Sequence, residues 1–350
     1  MSQVGTANSS TPRADRFLSI GSIAIDDESA APLVARLRQD AALNQPPELK
    51  FAQFAGQKSG SRLRELAALL APDGALGGRV NIYLIDEHWF VTAKIIDLLL
   101  EEEANARGIN LYGGDLAQRL AWTLFHEGPR TLGPEGFDRL IAAMVGFASR
   151  RNRDGSVVGV DALFEQFRQA LARSHRRQVT DILTALLRTR AYAEEFLRDL
   201  GSGGLLSAME PLIPSLPAIG HWWSRQIGGM SMLVDEHKVL TDYVLGIIAS
   251  RAALDVKLSR PEMGARRRPQ SRAVRAVRRG VSRHHPSIQL ADLVAGAGQA
   301  IARRHAGIGS PAGDLLYTTV VPLINAESMV PYKSISCFAD AGAISEPTRR

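Results

Sequence analysis

The stretch Ile288-Gln289-Leu290-Ala291-Asp292-Leu293-Val294-Ala295-Gly296 decides the reading of this chain. It opens a helix predicted over about Ser287 to His305, in which Ile288, Leu290, Leu293, Val294 and Ile301 are apolar and the acid Asp292 stands among them. Helical spacing groups Gln289, Asp292, Gly296, Gln299 and Arg303 on one stripe. Such a stripe is either an ordinary polar face turned to water or the lining of a site. Ala291, Ala295 and Gly296 leave little bulk around the carboxylate, so a metal ion or a phosphate backbone can approach closely.

Just before that helix runs a cluster of Arg266, Arg267, Arg268, Arg272, Arg275, Arg278, Arg279 and Arg283, with only neutral residues between them. It is dense enough to attract phosphates or an acidic protein face. The alternative is a solvated arginine-rich linker or helix. The whole chain carries a net charge of +6 and a pI near 9.7, which favours an anionic partner but speaks to association and not to fold.

Further upstream, Met230 to Val234 reads as an apolar strand that stops at Asp235-Glu236, with a helix from about Lys238 to Ala252 after it. Acids at the carboxyl ends of strands lie where ligands bind in α/β sheets. The same pair at the start of a helix is also an ordinary N-terminal acid favoured by the dipole. Asp86-Glu87, after a strand over Val80 to Ile85, has the same form and the same two readings.

The amino-terminal part reads as a strand over Phe17 to Ile25, a helix from about Ala30 to Arg38, and a second amphipathic helix over Arg62 to Leu70. Pro46 and Pro47 break the chain between them, immediately before Glu48-Leu49-Lys50. That tripeptide places a carboxylate and an ammonium in a constrained segment, which suits metal and phosphate work; a surface salt bridge is its commoner meaning. A helix follows from about Val91 to Ala106. From Asp115 to Gly204 the pattern is largely helical, with amphipathic runs such as Ala162 to Arg173 and Val179 to Arg188. Gly201 to Gly204 and the prolines Pro211, Pro214 and Pro217 punctuate the return to the Met230 strand.

The 350 residues, 45% hydrophobic and 22% charged, allow a substantial core in one elaborated domain or two. The lone Cys337 excludes an intrachain disulfide framework and a cysteine-based zinc ribbon, and a reducing, cytoplasmic setting is expected. Met1 to Arg16 has the composition of a loose tail without the apolar core of a signal peptide. No apolar run approaches the roughly 20 residues that span a bilayer, so no membrane is expected as a partner. Histidines are scattered, and the adjacent His284-His285 lacks the spacing of a zinc site. Walker loop, Gly-x-Gly-x-x-Gly and Gly-x-Ser-x-Gly patterns are absent, which disfavours P-loop and triad hydrolysis.

Taken together, the strand-then-helix opening, Glu48-Leu49-Lys50, the strand ending in Asp86, the strand ending in Asp235-Glu236 and the Gln289 to Gly296 motif resemble the family DUF3800, a ribonuclease H-like domain of unknown function. The resemblance covers about 16–113 and 220–306. It implies an α/β fold, a ribonuclease H-like mixed sheet flanked by helices, here with a large all-helical insertion. The organisation expected is a tail at 1–16, a core at 17–113 and 220–306, an insertion at 114–219 and a C-terminal extension at 307–350. By the same resemblance Glu48 and Lys50 match the Glu-Leu-Lys motif, Asp235 the strand-end acid and Asp292 the acid of the final helix. Glu48, Asp235 and Asp292 would then hold Mg²⁺ or Mn²⁺ for phosphodiester hydrolysis, and the arginine run would contact nucleic acid.

The chain departs from the family in one respect. The family opens with a strand ending in Asp-Glu-Ser-Gly, and no such strand precedes Phe17. Asp27-Glu28-Ser29-Ala30 lies after the strand that resembles the family's second one and close to Glu48, so it reads as a coincidental match. A module that binds nucleic acid or protein without catalysis, with an incomplete acid cluster, is therefore the competing expectation. The amphipathic helices of the insertion are a candidate surface for homo-oligomer formation.

Overall fold

The computed structural model describes residues 16–43, 48–56, 60–112, 115–148, 158–201, 210–253, 274–308 and 310–331. It is mostly helical, with small two-stranded sheets, and it divides into two compact units: residues 1–85 together with 212–350, and residues 86–211.

The first unit begins with β1 (Phe17–Ile23), α1 (Asp27–Asp40), α2 (Gly60–Leu70) and β2 (Val80–Asp86). Asp26 caps α1 by accepting from the Ser29 amide at 2.8 Å, which is why the helix starts three residues before the apolar period begins. β1 pairs with β2. Ser22 Oγ donates to the Asn81 carbonyl at 3.2 Å and the Ala24 amide to the Arg79 carbonyl at 2.9 Å, the order of an antiparallel pair. The other side of β2 is met by residues 324–329, through parallel bridges Ile82 to Ile324 and Ile85 to Met329. Every residue of β2 is buried.

The second half of this unit contributes α10 (Leu212–Ile227), β3 (Met230–Asp235), α11 (Asp242–Ala253), β4 (Val274–Gly280), α12 (Pro286–His305) and α13 (Pro311–Val320). β3 and β4 form a parallel pair in which Asp235 lies opposite Gly280. Three expectations change here. The described part of the arginine run, 274–280, is a strand and not a linker or helix. The prolines do not interrupt the chain before β3: Pro214 sits in the first turn of α10, where its missing N–H would have had no helical partner, and Pro217 is carried inside the helix. Residues 311–331, beyond the last element read from the sequence, belong to the core, since Ala312, Leu316, Val320 and Val330 join its apolar cluster.

α12 is the axis of this unit. Leu290, Leu293, Val294, Ala297 and Ile301 are buried in one cluster with Phe17, Leu66, Ile82 and Leu84, each large side chain contributing about 1.5–3 kcal/mol of transfer free energy. The first two members of the polar stripe are buried as well, Gln289 at 4% exposure and Asp292 at 8%, while Gln299 and Arg303 are half-buried. The helix lies so close on β1 that a Cβ at Gly21 would collide with the Ala291 carbonyl and stand 2.5 Å from the Ala295 amide nitrogen. A Cβ at Gly298 would come 2.6 Å from Ile82 Cγ2.

The second unit is helical throughout its described regular elements. A continuous rod runs through α3 (Glu87–Ile95), a π turn at Ile96–Leu100 and α4 (Glu101–Ala106), followed by α5 (Leu116–Leu132), α6 (Pro134–Ala148), α7 (Val160–Arg173), α8 (Arg177–Leu187) and α9 (Arg190–Gly201). Leu124, Leu140, Met144, Phe147, Leu163 and Phe167 form its interior. Trp89 meets Phe125 edge to face at 5.5 Å between ring centroids. Among the described residues, no helix is long and apolar enough to cross a membrane.

Candidate active site

Glu48 lies at a bend, and Lys50, in extended backbone, leads into a single 3₁₀ turn at Phe51–Gln53. Leu49 between them is fully buried in the core, while the Glu48 and Lys50 side chains meet each other. The turn is held by the Lys50 amide donating to Gln53 Oε1 at 3.0 Å and by Arg62 donating to the Gln53 carbonyl at 3.1 Å.

The Lys50 ammonium lies 3.0 Å from Asp292 Oδ2 and 3.3 Å from Glu48 Oε1. Burial works against its charge, and the two carboxylates more than offset this, holding its pKa above the ordinary lysine value. Glu48 is held below the ordinary glutamate value, first by the hydrogen bond from Ser282 Oγ and then by Lys50. Lys50 also donates to Ser282 Oγ at 3.5 Å.

Asp235 arrives from the end of β3 and is 5% exposed. Burial raises its pKa, the Glu236 amide donating at 3.0 Å opposes this, and Asp292 raises it again by like charge. Its Oδ2 is buried and has no hydrogen-bond partner among the described residues. The helix after it begins only at Asp242, so Asp235 is a strand-end acid and not the first-turn acid of a helix. Asp86 took the other course. It caps α3 by accepting from the Trp89 amide at 3.2 Å.

Two residues assemble the cluster without having stood out as site residues. Gln289 Oε1 accepts from the Leu49 amide at 3.1 Å, while its Nε2 donates to the Ser282 carbonyl at 3.1 Å. It thereby fixes the 48–50 segment and the turn after β4 to one helix. Ser282 serves that turn with its hydroxyl toward Glu48 and its carbonyl toward Gln289 and the His285 amide. The signal for Ser282 was a small polar residue two positions past a strand end, legible only once Val274–Gly280 is known to be a strand.

Arg275, Arg278, Arg279 and Arg283 are exposed on β4 and the following turn, and Arg279 pairs with Asp242 at 2.6 Å. Arg266, Arg267, Arg268 and Arg272 lie outside the described residues.

No family model matches the chain, and no curated protein or solved structure matches it. The chemistry of the cluster must therefore be argued from its own atoms. Among the described residues no three His, Cys, Asp or Glu side chains gather as a protein cage for a metal ion. Magnesium does not need one, because it keeps several waters and commonly takes one or two carboxylates plus substrate phosphate. The unpartnered Asp235 Oδ2, with Asp292 close enough to raise its pKa, meets that smaller requirement.

Proposed function

We propose that the chain is a ribonuclease H-like protein similar to DUF3800, with its catalytic cluster at Glu48, Lys50, Asp235 and Asp292, acting as a divalent-metal-dependent nuclease. The observation that carries this reading is the pairing of Glu48 and Asp292 with Lys50 beside a buried strand-end acid, Asp235, which Asp292 perturbs and whose Oδ2 has no hydrogen-bond partner among the described residues. Structural ion pairs are normally satisfied; an orphaned buried acceptor costs about 1–3 kcal/mol, and such a cost is typical of a site kept for a ligand.

Asp235 and Asp292 would hold Mg²⁺ or Mn²⁺, with Glu48 at the rim, and the ion would supply Lewis-acid polarisation of the phosphoryl oxygen. Lys50, whose three N–H donors face Asp292, Glu48 and Ser282, neutralises the acids in the absence of substrate and would turn one donor to a phosphate oxygen when substrate displaces an acid. Ser282 keeps Glu48 ionised and oriented. The exposed arginines of β4 support sequence-independent contact with a nucleic-acid backbone. The β1–β2 pair with residues 324–329 and the parallel β3–β4 pair are the elements from which a mixed ribonuclease H-like sheet would be built.

The test is cleavage of labelled single- and double-stranded DNA and RNA by the purified chain with Mg²⁺ or Mn²⁺, beside Asp292→Ala. Cutting that needs the ion and disappears in the variant is the expected result. A second reading is favoured by the ammonium already seated between Glu48 and Asp292, which makes the site self-neutralised: a module that binds nucleic acid without cutting it. Equal binding by both proteins, weakening steeply with salt and without cleavage, would establish that reading instead.

A further inference from the structure

Asp27, set aside as a chance match in the sequence, accepts three hydrogen bonds at the start of α12. Its Oδ1 takes the Ser287 amide at 3.0 Å and the Ser287 hydroxyl at 2.6 Å, and its Oδ2 faces His285 Nδ1 at 2.6 Å. Burial opposes the charge of Asp27, but the bonds from His285 and Ser287 prevail and hold its pKa below the ordinary aspartate value. An ionised carboxylate only accepts. The proton between the two groups therefore sits on Nδ1, and Nε2 is the ring nitrogen turned away from Asp27.

The Nε2 edge of the ring rests on Gly280. A Cβ at that position would come 2.5 Å from His285 Cδ2 and 2.8 Å from Nε2, so the ring can lie there only because residue 280 has no side chain. Gly280 is the β4 residue paired with Asp235, and two residues further Ser282 donates to Glu48. His285 in turn donates its amide to the Ser282 carbonyl at 3.2 Å. The charged group in contact with the ring is Asp27 on α1, and Arg283 and His284 precede it in the same turn. Its side chain keeps 31% exposure.

We propose that His285 is the proton acceptor of this site, with Asp27 as its positioning residue. Asp27 holds Nδ1 and so sets the Nε2 edge against Gly280, the register partner of Asp235. The proposal rests on the nuclease reading and adds a step to it. A water gives one proton to Nε2 while its oxygen bonds to phosphorus. The P–O bond to the leaving sugar oxygen breaks, that oxygen takes a proton from solvent, and Nε2 later releases its own to solvent. A positioned base of this kind contributes about 10²–10⁴-fold.

The test uses the full chain and His285→Asn, whose amide can still donate to Asp27 from near the Nδ1 position but has no nitrogen at Nε2. The expected result with a labelled oligonucleotide and Mg²⁺ is a loss of about 100-fold or more in kcat with KM within about twofold. Retention of kcat within about threefold, at unchanged melting temperature, would overturn it. Independently of turnover, ¹⁵N spectra of the imidazole rings should show the Nε2 resonance of His285 shifted on saturation with a non-cleavable phosphorothioate oligonucleotide. If the chain binds but never cuts, the nuclease reading and this proton-transfer step fall together, whereas an unshifted ring in a chain that does cut removes His285 alone.

Discussion

The ammonium of Lys50 stands 3.0 Å from Oδ2 of Asp292, although 242 residues separate them in the chain. Asp292 is buried in a helix packed on almost every side, and Lys50 is its direct ion-pair partner in that setting. The pair is partly shielded, and removal of one member leaves the other's charge uncompensated. Lys50→Met is expected to cost about 1–3 kcal/mol, discounted from a fully buried pair because the lysine is 27% exposed. Adding Asp292→Asn should return part of that loss. Urea unfolding of the two single variants and the double variant checks this, and strictly additive losses would show that the pair is not coupled.

Asp235 pulls in the other direction. Its folded pKa is raised, so the folded state prefers it protonated; its charge costs stability above that pKa, and the cost vanishes below the unfolded value of about 3.9. Asp235→Asn is expected to raise stability by on the order of 1 kcal/mol at pH 7, with the gain shrinking as pH falls toward 4. Added Mg²⁺ should raise the melting temperature of the native protein more than that of the variant. Thermal melts across pH and Mg²⁺ concentration read both effects.

Gln289 satisfies one donor and one acceptor of two separate segments. Gln289→Leu leaves the Leu49 amide unmatched, while the Ser282 carbonyl keeps the His285 amide, for a loss of about 1–3 kcal/mol. Gln289→Glu keeps the acceptor for Leu49 and loses the donor to Ser282, so it should fall between. Amide exchange at Leu49 distinguishes the two: protection is expected to drop in the leucine variant and persist in the glutamate variant.

The acid limb of stability follows from Asp27 and Glu48, both held below their ordinary values. Their stabilisation is complete above the unfolded pKa values near 4 and is lost as pH falls through the lower folded ones. The urea midpoint should therefore be level from pH 7 to about 5 and drop below about 4, and Asp27→Asn should flatten that drop. A midpoint that falls equally in both proteins would exclude Asp27 as a contributor.

The legible part of the fold was the part with local periodicity. β1, β2, β3, α2 and α12 were read within a few residues because their apolar spacing is set by their own sequence. β4 was not, because its exposed arginines at 275, 278 and 279 mask the buried Val274 and the partly buried Ala276 and Val277. α10 was missed because Pro214 and Pro217 read as breaks, although the first turn of a helix tolerates the former and the packed apolar face carries the latter. At the site, Glu48, Lys50, Asp235 and Asp292 were named from their types; Lys50 pairs with Glu48 and Asp292, and Asp235 lies within electrostatic reach of Asp292. Local spacing could not tell whether the stripe through Gln289 and Asp292 faces water or another segment, since that is settled by residues some 240 positions away. Asp27 was dismissed for its spacing in the chain, and it is distance in space that returns it to the start of α12.

The flanking of β2 by residues 324–329 has a consequence for the order in which the protein can be made. During synthesis from the amino end, Val80–Asp86 emerges with β1 already available on one side and its other neighbour still some 240 residues from being made. Its Val-Asn-Ile-Tyr-Leu-Ile segment is β-prone and uncharged, and an unpaired strand of that kind is a template for pairing with other chains. The nascent protein thus passes through a long interval in which its central strand is half covered, and chaperones that shield exposed strand edges would act on it in that interval.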